Sequence, residues 1–140
     1  MQTTLDTTLI PAAANTTTFT RWTGRVLTGI PVLFLAFDVA IKLAGIPAVA
    51  EASERLGLPA HLAPGIALVL ASCLALYLVP RTAVLGAVLL TGYLGGAVLV
   101  HVRVEDPLFS HTLFPVYVGA LLWAGLYVRD ARVRRLLAHR

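Results

Sequence analysis

Asp38 and Lys42 stand four residues apart in an apolar run, Val26 to Ile46, that carries no other charge. On a helix this spacing puts both on one face, and acid before base is the favourable order for an intrahelical pair. In hydrocarbon a lone charge would cost roughly 2.5 to 3.5 kcal/mol, so intramembrane ionisable groups usually face a protein interior and mark a ligand, proton or ion site. The bland alternative is a self-neutralised pair, with Lys42 snorkelling to the interface and Asp38 following. His101 closes a later apolar run and has the chemistry to carry a proton or to hydrogen-bond a polar head. Arg103 follows two residues later; on a continuing helix the two point to nearly opposite sides, so one faces inward. Tyr93, midway along that run, needs a partner for its hydroxyl and is a candidate for the same polar pocket.

Other chemistries fare worse. His61, His101 and His111 with Glu105 and Asp106 match no metal-ligand spacing, and no metal is expected. No histidine pair lies at mid-run, so no haem is expected either. Nucleophile elbow, P-loop and dinucleotide signatures are missing. Cys73 is the only cysteine, which rules out an internal disulfide or a C-x-x-C couple, and it reads as a small hydrophobe.

The elements that must position these residues are long and apolar. Leu62 to Val79, Thr82 to Val100 and Thr112 to Val128 contain no charge. With the first run they are each close to the ~20 residues that cross a ~30 Å hydrocarbon core. The composition agrees: 58% hydrophobic, 13% charged and a mean hydropathy of +0.83, against about 25% charged for soluble domains. The expected fold is all-α, a four-transmembrane-helix antiparallel bundle. A short interfacial helix is expected between helices one and two, within Pro47 to Pro59 and ending at Gly57, with Glu51 and Arg55 paired on its wet face. Residues 1–20 read as a disordered cytoplasmic tail and 21–140 as one domain. Arg81 to Thr82 is short enough to force a tight hairpin. Gly92 and Gly96 have the small-x-x-x-small spacing of close helix packing in lipid.

The net charge of +4 is unevenly placed, since five of eleven basic residues fall between Arg129 and Arg140. That placement suits anionic lipid headgroups rather than nucleic acid. Eight Lys or Arg flank the N-terminal, middle-hairpin and C-terminal ends, and only Arg55 and Arg103 lie in the other two connections. The positive-inside rule therefore expects both termini in the cytoplasm. Trp22, Tyr77, Trp123 and Tyr127 would then form a cytoplasmic aromatic belt. Asp38, some 18 Å beyond Val26 at 1.5 Å per residue, would sit in the outer half of the bilayer with Lys42 and His101.

From Phe34 to Leu137 the order of motifs resembles the DoxX-like family of small bacterial membrane proteins. The resemblance is carried by DVAIKLAGIP, LGLP, VPRTAVLGAVLLTGYLGGAVLVHVR and LFSHTLFPVYVGALLWAGLYVRD. It implies a four-helix protein of the bacterial inner membrane, in a family named after a subunit of quinone-linked thiosulfate oxidation. Some relatives are implicated in membrane-associated redox stress complexes. Lys42, Gly92, Gly96, His101 and Arg103 match the family's recurrent positions. The chain departs from it at Gly65 to Val69, wholly apolar where many relatives have a glutamate.

Three readings follow. The favoured one is a non-enzymatic membrane subunit or small-lipid-binding bundle. Its polar outer pocket would receive a quinone, an isoprenoid head or a partner helix. The second is a proton-handling subunit of a quinone-linked oxidoreductase, with electrons supplied by a redox partner. The third is a small transporter, working as a homodimer through the glycine face.

Overall fold

The computed structural model describes residues 13–138, and all regular structure in them is helical. The helices are α1 (Ala13–Leu43), α2 (Pro47–Arg55), α3 (Ala63–Leu78), α4 (Ala83–Arg103), α5 (Phe114–Arg129) and α6 (Ala131–Ala138). A 3₁₀ turn, Ala60–Leu62, leads into α3, and a π turn, Leu108–Thr112, leads into α5. Four of the described segments are long and apolar enough to cross a membrane: Trp22–Leu43, Ala60–Leu78, Ala83–Arg103 and Leu108–Arg129. The protein is a multi-pass membrane protein with a short helix between its first two spans. Residues 1–12 of the expected disordered tail lie outside the described residues. α1 already begins at Ala13, ahead of the tail's expected end.

Prolines and glycines punctuate the chain as backbone chemistry requires. Pro47, Pro64 and Pro115 sit in the first turns of α2, α3 and α5, where a missing N–H costs nothing. Pro31 is buried inside α1, and the helix runs through it. α2 ends in a Schellman motif: Leu58 N donates to Ser53 O and Gly57 N to Glu54 O, both at 2.8 Å. Gly57 supplies the positive φ of 70° that this motif needs.

The four spans form a ring in which α1 and α4 each touch both α3 and α5. α1 and α4 therefore face each other across the diagonal. The half of the bundle nearest Arg81 is tightly filled by Leu70, Leu74, Tyr77, Leu90, Leu122 and Leu126. Tyr77 was expected in an interfacial aromatic belt, and the structure corrects this. It is 0% exposed, its hydroxyl donates to Leu122 O at 2.8 Å, and Arg129 stacks 4.6 Å over its ring. Trp123 is half-buried with its Nε1 donating to Thr91 Oγ1, while Trp22 and Tyr127 are exposed.

Among the described residues of this chain, Gly86 and Gly125 mark close helix approach. A Cβ on Gly86 would overlap the Tyr77 backbone, and one on Gly125 would overlap Thr28 of α1. Gly92 and Gly96, the expected packing pair, have open space where a Cβ would stand. Their contribution is room, as the site shows.

The C-terminal arginines have carbonyls to satisfy. Arg129 donates to Tyr77 O, Arg132 to Pro80 O, and Arg134 to Tyr127 O and Val128 O. Arg129 and Arg134 close the last turns of α3 and α5, whose final carbonyls have no partner within their own helices, and Arg132 ties the turn between α3 and α4. Asp130 caps α6, its Oδ1 accepting Arg132 N at 2.8 Å. The hydrogen bond from Arg132 holds the Asp130 carboxyl below the usual range, and the same bond raises Arg132.

Candidate functional site

The inward stripe of α1 explains where its charges point. Gly24, Thr28, Pro31 and Leu35 are buried at alternating spacings of four and three residues. Asp38 and Lys42 continue that series, so they lie on the face that packs against the other helices. Their side chains are 25% and 19% exposed and bonded to each other through Asp38 Oδ2. The spacing that pairs them is helical, and the stripe that turns them inward is set by the core.

Above the Leu35 level the diagonal between α1 and α4 is not filled. A cavity of about 480 Å³ opens there, with Asp38, Lys42, Tyr93 and His101 on its wall. Gly92, Gly96, Ala97 and Ala63 supply wall with almost no side chain. Phe34, Ile66, Phe114 and Val118 make most of the remainder apolar, and α2 with its exit contributes Ser53, Leu56 and Leu58 at the mouth. The volume is typical of a pocket for a ligand of moderate size. Chemically, it presents an ammonium, a carboxylate, a phenol and an imidazole to an otherwise apolar slot. Such a wall is complementary to a molecule with a small polar head and an apolar body.

Two contacts hold α2 over the mouth. Arg103 is not on the cavity wall, and its Nη2 donates to Leu56 O at the mouth at 2.6 Å. The guanidinium lies where a Cβ on residue 57 would stand, so Gly57 serves clearance as well as conformation. Arg55 was expected to pair with Glu51. It reaches instead to Asp106 Oδ1 at 3.5 Å, tying α2 to the connection between α4 and α5.

Asp106 is the residue that sequence reasoning undervalued. α4 ends in a second Schellman motif, Asp106 N to His101 O and Glu105 N to Val102 O, both 3.1 Å. Glu105, not glycine, occupies the left-handed position at φ 56°. This turn folds the chain back so that Asp106 Oδ2 lies 2.6 Å from His101 Nδ1. The carboxylate is 9% exposed, and its own carbonyl accepts from Thr112 Oγ1 at 3.1 Å. The hydrogen bond from His101, then the Arg55 charge, holds the Asp106 carboxyl below the usual range. The His111 ring lies 6.2 Å from that of His101 and is bonded to Ser110 Oγ. The sequence signal was present as an acid five residues beyond a histidine, across a helix end. It carries no weight until the left-handed turn is known.

Of the residues picked from sequence, Asp38, Lys42, Tyr93, His101, Gly92 and Gly96 meet at one cavity, and Arg103 braces its mouth. The DoxX-like family model matches residues 26–125, which includes all of them. The chain belongs to the DoxX-like family. No curated protein and no solved structure matches it. The matched span runs from the first turns of the apolar part of α1 to Gly125 in α5, so every span of this DoxX-like chain contributes to it.

Proposed function

We propose that this DoxX-like protein is a non-enzymatic membrane subunit that binds a small amphiphile in the cavity between α1 and α4. The polar head is held by Lys42, Asp38, Tyr93 and His101, and the tail leaves along the apolar wall toward lipid. A long-chain quinone is the ligand class that the family resemblance favours. The single observation that carries the reading is the convergence of four polar side chains on one roughly 480 Å³ cavity walled by glycines. A pair that only neutralised itself would need neither a space beside it nor a tyrosine and a histidine facing that space.

The mouth opens to the outer face of the bacterial inner membrane, and both termini are cytoplasmic. Support comes from the eight-to-two distribution of Lys and Arg between the two sides. A cysteine at position 105 should react with an impermeant thiol reagent on intact cells, and one at position 134 should not.

The test of binding is extraction. Protein purified in mild detergent should carry lipid-soluble quinone or a related amphiphile at near one per chain, and Lys42→Ala should lose it. Protein that elutes free of any such molecule, or a Lys42→Ala variant that keeps it, would remove the pocket as the binding site.

A further inference from the structure

One polar group on the cavity wall, His101, is bonded to a residue outside the cavity, Asp106. We propose that Asp106 is a positioning residue that fixes the tautomer of His101, so that the pocket selects an amphiphile whose head carries a hydroxyl group. This inference rests on the binding reading above and narrows it: of a quinone and its reduced form, only the hydroquinone carries the hydroxyl that this wall would accept.

A carboxylate has no proton to give, so the 2.6 Å contact from Asp106 Oδ2 requires the proton to sit on His101 Nδ1. In the neutral ring Nε2 then carries a lone pair and no hydrogen. Because Nδ1 is turned to Asp106 and the residue lines the cavity, Nε2 is the polar atom of His101 left for a ligand. A lone pair there accepts a hydroxyl hydrogen and gives nothing to a ketone or an ether. On the far wall Lys42 can only donate, so a head with one donor and one acceptor matches both sides. Asp106 is well placed to hold this polarity. Its backbone N–H, its carbonyl and both carboxylate oxygens are engaged, by His101 O, Thr112, His101 Nδ1 and Arg55. The lowered Asp106 carboxyl keeps the acceptor ionised at neutral pH.

Replacing the carboxylate of such a pair by an amide preserves the geometry and permits the opposite tautomer. The test uses wild type, Asp106→Asn and His101→Gln in lipid nanodiscs at pH 8. The probes are 4-dodecylphenol and its methyl ether, 4-dodecylanisole, each corrected for uptake by empty nanodiscs. Wild type should bind the phenol about tenfold more tightly than the ether, the worth of one hydrogen bond. In Asp106→Asn and in His101→Gln that preference should fall below about twofold. Nitrogen-15 NMR of the imidazoles, with His101 assigned by its loss in His101→Gln, should show the proton on Nδ1 in wild type.

A phenol preference that survives in Asp106→Asn would assign the hydroxyl to Asp38 and overturn the inference. Equal binding of both probes by wild type would overturn it while leaving the cavity a binding site. A His101 proton found on Nε2 would overturn it even if the probes bound as expected. Binding of neither probe above the empty nanodisc would count instead against the pocket itself. The spectrum separates a tautomer effect from simple loss of the Arg55 tie, which does not move a proton between ring nitrogens.

Discussion

Cutting the Asp38–Lys42 pair from one side or from both should have opposite consequences for folding and the same consequence for binding. Asp38→Asn leaves an ammonium on the inward face of α1 without its counter-charge. Fully immersed, that ammonium would cost up to about 3.5 kcal/mol. Lys42 is 19% exposed and lies within a turn of the end of α1, so partial escape toward the interface reduces the cost. The expected loss is about 2 kcal/mol, near thirtyfold in the folding equilibrium. Lys42→Met should lose a similar amount, since it strands the carboxylate. The double variant removes both charges and should recover most of the loss, because replacing a buried pair by apolar groups is often neutral or better. With each single variant losing about 2 kcal/mol and the double variant close to wild type, the coupling energy from the cycle should be about 3 to 4 kcal/mol. Reversible unfolding in mixed micelles supplies the stabilities, and retained amphiphile in the same preparations supplies the binding. Stability losses that add to within about 0.5 kcal/mol would show that the two groups do not share a low-dielectric interior. A double variant that is stable and still retains its amphiphile would make the pair a structural device with no part in a site.

The two kinds of glycine should separate in the same assay. Gly86→Ala drives a methyl into the Tyr77 backbone and should destabilise by about 1 to 3 kcal/mol, the cost of overpacking. Gly96→Ala meets open space and should match wild type or gain up to about 1 kcal/mol from helix propensity, while Gly96→Leu empties the preparation of ligand. Asp130→Ala removes the cap of α6 and should cost about 1 kcal/mol, visible as faster amide exchange across Ala131–Ala138. The pH response of the mouth follows from the lowered Asp106 carboxyl. Its ionised form is favoured in the folded state, so its contribution is complete above about pH 4. It is lost as the pH falls through the lowered folded value. Amide exchange in α2 should accelerate over that acidic window in wild type and be fast, with a weaker pH dependence, in Asp106→Asn. An α2 that exchanges identically in both would break the link between Arg55 and Asp106.

How far the sequence could be read depended on the range of the interaction concerned. The spans were legible because hydropathy over ~20 residues is a local property, and α2 was legible because Gly57 is a strong stop. The pairing of Asp38 with Lys42 needed only the period of a helix. That they face inward came from a stripe shared with Gly24, Thr28, Pro31 and Leu35, whose meaning depends on which helices lie beside α1. The roles of the glycines divide for the same reason. GYLGG and the lone Gly86 differ in pattern, yet only the position of the neighbouring backbone decides whether a missing side chain brings helices together or leaves a hole. Tyr77 misled because an aromatic near a span end is usually interfacial, whereas here Leu122 O takes its hydroxyl inside the core. Asp106 was hidden by a left-handed residue that is not glycine, which composition does not flag.

Whether the space beside Lys42 is a seat for a molecule or a packing defect is decided by a density map of the protein in native lipid. An elongated density should fill the slot between α1 and α4, its head within about 3 Å of Lys42 Nζ or His101 Nε2 and its tail running past Phe34 and Phe114 to the lipid. A slot closed by inward movement of α4, or Lys42 extended into the surrounding headgroups with the slot empty, would contradict the binding reading.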